Sequence, residues 1–135
     1  MITKELIDKL NFSEWEELKR FLQFRFPRMR EDVLLALNFL QEKGGAEFSR
    51  RDIHNWLYPK KRFEDKVIRY LLTDVNKVVS EYFSYKQLIK QPQQQQALLL
   101  QELSERGCGR TFEKTYNQEL RNLADSGLAD TEALH

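Results

Sequence analysis

The sequence predicts an all-α fold, a bundle of about six or seven helices with helical-hairpin packing toward the C-terminus. Glycine and proline are scarce, at 5 and 3 of 135 residues, which disfavours the many tight turns of an all-β chain. The segment 63–90 contains neither residue, and its apolar side chains recur every three or four positions. Hydrophobic residues (41%) and charged residues (32%) are balanced as in a globular chain.

The N-terminal region predicts two helices. Apolar residues at helical spacing in 1–10 indicate a short first helix. Ser13 and Glu16 match a capping box, so the second helix is expected to begin at Ser13, and Pro27 is expected to end it. The apolar residues are Ile2, Leu6, Ile7 and Leu10 in the first helix, and Trp15, Leu18, Phe21, Leu22 and Phe24 in the second.

Two further helices precede residue 60. The third is expected from about Arg30 to Lys43, and the glycines at 44–45 end it because glycine takes the left-handed conformation at little cost. Ser49 and Asp52 resemble a second capping box that opens a short helix, and Pro59 closes it. The apolar stripes are Val33, Leu34, Leu37, Leu40 with Phe39, and then Ile53, Trp56 and Leu57.

The longest predicted helix, Phe63 to about Lys90, is expected to be the spine of the bundle. At about 100° per residue its apolar positions cover one broad face, and the strict alternation of a strand is absent. Pro92 ends it, since a residue before proline avoids the helical region, and Pro92 can seat the next helix. The apolar face comprises Phe63, Val67, Ile68, Leu71, Leu72, Val75, Val78, Val79, Tyr82 and Phe83.

Residues 93–126 predict a helical hairpin whose helices are separated by the glycines of "GCG" at 107–109. Its 34 residues match the length of a tetratricopeptide-type (TPR-like) unit, although the W…LG…Y pattern is absent. The last helix is expected to end near Ser126–Gly127. In the first helix of the hairpin, Leu98, Leu99 and Leu103 are expected to face inward. The last helix is marked by Phe112, Tyr116, Leu120 and Leu123.

The length predicts a single helical domain over 1–135. The segment "LADTEALH" at 128–135 has the pattern of another helix that the chain does not finish. This pattern raises the alternative that the chain is the N-terminal fragment of a longer protein.

The sequence argues against most enzymes, and no catalytic, cofactor-binding or metal-binding residue is assigned. The two histidines, His54 and His135, have no partner at metal-ligand spacing, and the one cysteine, Cys108, excludes a cysteine-based metal cluster. His54 is interpreted as a surface or half-buried side chain and Cys108 as an inert loop thiol. No phosphate-binding glycine motif is present. An enzyme using His54 or Cys108 remains a minor alternative.

A basic segment at 50–77 is the main candidate for nucleic-acid binding. Residues 50–90 hold ten Lys or Arg and five acids, in a chain whose formal net charge is +1. A helix-turn-helix is disfavoured because "PKKR" contains no glycine and the following helix has a wide apolar face to bury. The alternative that remains is a sequence-independent phosphate contact. It would use Lys60, Lys61, Arg62 and Lys66, with Arg69 as a further candidate; a second basic-aromatic stretch is "KRFLQFRFPRMR" at 19–30.

The expected location follows from the absence of a signal peptide and of a membrane-spanning segment. The N-terminus lacks the apolar core of a signal peptide, and no apolar run is long enough to cross a bilayer. A cytoplasmic protein without a membrane partner is therefore expected.

The chain contains sixteen aromatic residues, a high number for its length, and some are expected to form a docking surface. A protein partner is the leading expectation, with self-association and nucleic acid as alternatives.

The segments "FSEWEELKRFLQFRFPR", "ALNFL", "FSRRDIHNWLYPKKRFEDKVIRYLLTDVNKVVSEYFSY" and "LLLQELSERGCGRTFEKTYNQ" occur in an order that covers nearly the whole chain. In this order the chain resembles the N-terminal region of a family of long, uncharacterised bacterial α-helical proteins. The resemblance implies a repeat-like helical interaction region that normally continues past His135, and it carries over no functional residue. The leading functional hypothesis is therefore a non-catalytic protein-interaction or scaffold domain, and the alternative is a nucleic-acid-binding domain.

Overall fold

Seven α-helices account for the secondary structure in the computed structural model, which describes the backbone of residues 2–133 and the side chains of residues 2–125. They are α1 (Ile2–Ile7), α2 (Phe12–Arg25), α3 (Glu31–Lys43), α4 (Arg50–Leu57), α5 (Asp65–Ile89), α6 (Pro92–Glu105) and α7 (Gly109–Ala133). No strand occurs in the described part of the chain, so the predicted all-α bundle is confirmed. None of the described helices is both long and apolar enough to span a membrane.

The chain divides into two compact units, Met1–Ser84 and Tyr85–His135. The first unit contains a hydrophobic core to which α1 to α5 all contribute. The buried face of α5 is the broad apolar face expected for the spine helix, and it carries Ile68, Leu71, Leu72, Val75, Val78, Val79 and Tyr82. The second unit is a hairpin in which α6 packs against α7.

The start of α2 differs from the expected one. Asn11, not Ser13, is the N-cap: its side chain accepts a hydrogen bond from the Glu14 N–H (2.8 Å), and the Glu14 carboxylate accepts one from the Asn11 N–H (3.2 Å). Asparagine caps as well as serine does, so "NFSE" offers a capping box two residues before the expected one. The capping box of Ser49 and Asp52 at the start of α4 is confirmed.

Several apolar side chains expected to be buried are exposed, and one expected break is absent. Five of them are more than a third exposed: Ile2, Phe24, Leu34, Trp56 and Val67. The last helix continues past Gly127 to Ala133, since one glycine within a helix costs only about 1 kcal/mol. Leu134 and His135 lie outside the described residues.

Candidate functional site

The basic segment centres on the connection between α4 and α5, residues 58–64, here called the basic loop. This loop folds back along α4, so that the Phe63 ring lies 5.3 Å from the His54 ring and 4.5 Å from the Arg51 guanidinium. The Tyr58 ring packs against His54 at 5.4 Å. Its two aromatic residues therefore anchor the basic loop on α4.

All five residues predicted to contact phosphates are exposed. Lys60, Lys61 and Arg62 lie in the basic loop, and Lys66 and Arg69 lie in the first two turns of α5. Two of them rest near aromatic faces: the Lys61 ammonium is 5.4 Å from the Tyr58 ring, and that of Lys66 is 5.6 Å from the Tyr70 ring. Among the described residues, Lys60 and Arg62 have no ion pair or ring contact.

Arg69 is already engaged in an ion pair. Its Nε lies 3.1 Å from one carboxylate oxygen of Asp65, whose other oxygen lies 2.7 Å from the Nε of Arg50. One carboxylate at the start of α5 thus holds two arginines, from α4 and α5. The Arg50–Asp65 contact could not be predicted from the sequence, because the fold of the basic loop determines it.

The geometry of α4 and α5 is not that of a helix-turn-helix. Seven residues connect the two helices, where that motif uses three or four. The apolar face of α5 is buried in the core, as the sequence predicted, so α5 is the structural spine of the first unit.

The second basic-aromatic stretch, 19–30, is partly neutralised by acidic side chains. Arg25 pairs with Glu81 at 3.1 Å, and Arg30 binds both Asp32 (2.8 Å) and Asp74 (2.7 Å). The hydrogen bonds from Arg30 hold the pKa of Asp32 below its ordinary value. Two arginines of this stretch therefore connect α2 and α3 to α5.

The hairpin of the second unit has no buried side chain among residues 85–125. The least exposed positions of α6 and α7 form the seam between them, and three of them are polar: Gln96, Thr115 and Glu119. The side-chain oxygen of Gln96 is buried, with no hydrogen-bond partner among the described residues. The full seam is Gln96, Leu100 and Leu103 of α6 with Phe112, Thr115 and Glu119 of α7.

The expectation that Leu98 and Leu99 face inward is wrong, since they are 50% and 44% exposed. The neighbouring Leu100 takes the seam position instead. On α7, Tyr116, Leu120 and Leu123 are also nearly half exposed, at 43–47%. With Phe112, whose ring stacks on Tyr116 at 6.1 Å, they share one face of the helix and are here called the α7 stripe.

The two residues considered for catalysis, His54 and Cys108, are buried and half-buried, respectively. His54 is 3% exposed, not at the surface or half-buried, because Tyr58 and Phe63 enclose it, and its Nδ1 has no hydrogen-bond partner among the described residues. Cys108 is half-buried in the turn between α6 and α7. The described residues contain no group of three or more His, Cys, Asp or Glu that could hold a metal ion. His135 lies outside them.

Comparison of the chain with protein-family models, with curated proteins and with solved structures gives no match. The resemblance to long bacterial helical proteins accordingly stays a prediction.

Proposed function

We propose that this protein is a non-catalytic interaction domain that binds another polypeptide chain through the α7 stripe. A single observation carries the proposal: the described part of the α6–α7 hairpin buries no side chain and leaves the stripe half exposed. A pair of helices has no third surface against which to bury an apolar face, and such faces mark protein–protein contacts.

The stripe is large enough to drive association. Full burial of a leucine-sized side chain is worth about 1.5–3 kcal/mol, and nearly half of each stripe residue beyond Phe112 remains to be covered. Covering Tyr116, Leu120 and Leu123 would thus gain several kcal/mol, by roughly halving those values, to set against the cost of association.

The spacing of the stripe indicates the kind of partner. Apolar residues at intervals of three and four match the mode in which amphipathic helices pack together. Residues 85–125 carry six basic and five acidic side chains, so the hairpin exerts little net electrostatic attraction. The partner surface is therefore helical and apolar. A second copy of this chain would supply one, giving a four-helix arrangement of two hairpins.

Substitution of the stripe tests the proposal. Leu120→Glu with Leu123→Glu places two charges on the stripe, and Asn117→Glu with Gln118→Glu places two exposed charges elsewhere on α7. Sedimentation velocity of the three proteins determines whether the chain self-associates. Cross-linking and affinity capture identify any other partner, whose direct binding is then measured with purified components. The wild type and the control should bind the same chain, and the stripe variant should not. Equal binding by all three, or no complex of any kind, would contradict the proposal.

A second candidate function is contact with the phosphate backbone of nucleic acid, favoured by the exposed Lys60 and Arg62, which lack an acidic partner among the described residues. Lys61, Lys66 and Arg69 would extend the same surface. Because counterion release makes such binding strongly salt-dependent, affinity should fall steeply as salt rises.

Titration against fluorescent duplex DNA and single-stranded RNA, at low and moderate salt, tests the second candidate. Changing Lys60, Lys61, Arg62 and Lys66 to Glu should abolish binding. A variant with the same net charge, with Lys90, Arg110, Lys114 and Arg121 changed to Glu, should retain most of it. No binding at low salt, or an equal loss of affinity in both variants, would contradict a role of the basic loop in nucleic-acid binding.

A further inference from the structure

An open cavity of about 570 Å³ in the first unit has the chemistry of an anion site. It lies between α1, the start of α4 and α5. Two arginines, Arg50 and Arg69, stand beside polar and apolar side chains, and none of the described residues that line the cavity is acidic. The other lining residues are Ile2, Thr3, Leu72, Thr73 and Asn76.

The arginines retain donors for a ligand. Each contacts Asp65 through its Nε, at 2.7 Å for Arg50 and 3.1 Å for Arg69. A guanidinium carries five N–H donors, so one carboxylate shared by two arginines cannot occupy all of them. One carboxylate neutralises only one of two guanidinium charges, so the cavity keeps a net positive charge. Arginines held in place in this way are well suited to paired hydrogen bonds with an oxyanion.

The opposite side of the cavity supplies a neutral donor. The buried Thr3 hydroxyl donates a hydrogen bond to the Asn76 side-chain oxygen at 2.7 Å. This contact uses an acceptor lone pair of the Asn76 amide and leaves its NH₂ group as donor. Thr3, on α1, thereby fixes the orientation of a donor on α5.

We propose that this cavity binds the phosphate group of a small molecule. The phosphate oxygens would accept hydrogen bonds from Arg50, Arg69 and the Asn76 NH₂ group. Ile2 and Leu72 would contact an organic group carried by the phosphate, so a phosphate ester should bind more tightly than free phosphate. None of the lining residues belongs to the α7 stripe. Arg69 is shared with the residues assigned to the nucleic-acid surface, and Arg50 is not.

The experiment is an NMR titration of the ¹⁵N-labelled full chain with inorganic phosphate and with phenyl phosphate. With either probe, the amide signals of Thr73 and Asn76 should shift until the site is saturated. Phenyl phosphate should bind about tenfold more tightly than inorganic phosphate, because its ring contacts the apolar residues of the cavity. Arg50→Gln or Arg69→Gln should each weaken binding at least about tenfold, because an oxyanion loses a charged donor. Arg110→Gln, an exposed arginine outside both the cavity and the basic loop, is the matched control and should leave affinity within about twofold. Arg62→Gln tests the basic loop as the competing phosphate site.

The outcomes separate the sources of the phosphate and the competing surfaces. Equal affinity for both probes would still support an oxyanion site and would identify free phosphate as the ligand. Shifts that do not saturate, or binding that both cavity variants retain, would overturn the proposal. Loss of binding in Arg62→Gln alone would also overturn it, because the phosphate would then occupy the basic loop. Circular dichroism of each variant confirms that the fold is intact.

Discussion

At the scale of single residues, Arg30 links the start of α3 to α5 by binding two acidic side chains. Its guanidinium makes two hydrogen bonds to Asp32 at the start of α3 (3.0 and 2.8 Å) and one to Asp74 of α5 (2.7 Å). This geometry lowers the pKa of Asp32 and raises that of Arg30. The pair is partly exposed, so its contribution to stability is modest.

The lowered pKa of Asp32 predicts a pH-dependent contribution to stability. The folded state favours the ionised carboxylate, so the stabilisation is present above the ordinary pKa of about 3.9 and is lost as the pH falls below it. Arg30→Gln should lower the free energy of unfolding by about 1 kcal/mol or less at pH 7, as for partly exposed ion pairs. This difference should shrink toward pH 2.5.

Thermal or urea unfolding at pH 7 and at pH 2.5 measures the effect. Arg28→Gln removes a neighbouring exposed arginine that has no acidic partner among the described residues, and it should change stability little at either pH. A loss in Arg30→Gln that is the same at both pH values would contradict the role of the Asp32 carboxylate.

The sequence identified which residues carry charge but not which charges are neutralised. Lys60, Lys61, Arg62, Lys66 and Arg69 are all exposed, as a basic surface requires. Helical spacing predicts contacts between residues one turn apart, such as Arg69 and Asp65. The Arg50–Asp65 and Arg30–Asp74 pairs join distant parts of the chain and follow only from the packed fold.

At the scale of helices, the start of α2 is set by Asn11 and Glu14, although Ser13 and Glu16 offer the same pattern two residues later. Only one of two overlapping capping boxes can form. We therefore expect Asn11→Ala to cost about 1 kcal/mol, the usual cost of losing an N-cap, and Ser13→Ala to cost a few tenths at most. Urea unfolding of the two variants measures the difference, and a larger loss in Ser13→Ala would place the cap where the sequence first suggested.

Helix types and approximate bounds were predictable because apolar periodicity and proline positions are local signals. All seven helices begin within a few residues of the predicted start, and only the end of α7, at Ala133, lies well beyond the one expected near Ser126–Gly127. Local signals did not predict which side chains of the hairpin face the neighbouring helix. The stretch "ALLL" has three leucines in succession, and the pattern does not show which of them lies in the seam between α6 and α7. Leu100 does, together with Gln96 and Leu103.

At the scale of the whole molecule, the two units differ in what stabilises them. Helices α1 to α5 share a core, whereas the described part of the α6–α7 hairpin has none. Local opening costs least where few apolar side chains are buried. Backbone amides of buried α5 residues such as Leu71 and Val75 should therefore exchange with deuterium far more slowly than those of Leu100 and Leu103.

Hydrogen exchange of the full chain, at a concentration where sedimentation shows a single species, tests this difference. A partner bound to the α7 stripe should slow exchange in α6 and α7, because association supplies the missing apolar contacts. Equal protection of α5 and α6 in the monomeric chain would mean that the hairpin is stable without a partner.

The turn between α6 and α7 contains Cys108, the only cysteine in the chain, between Gly107 and Gly109. Its backbone N–H donates to the Leu103 carbonyl (2.9 Å), and its carbonyl accepts from the Phe112 N–H (2.8 Å), so its backbone is fixed to both helices. The half-buried thiol is a unique attachment point for a fluorophore or a nitroxide, without any substitution. A probe attached to Cys108 of the wild-type protein can thus detect the binding of a ligand to the hairpin.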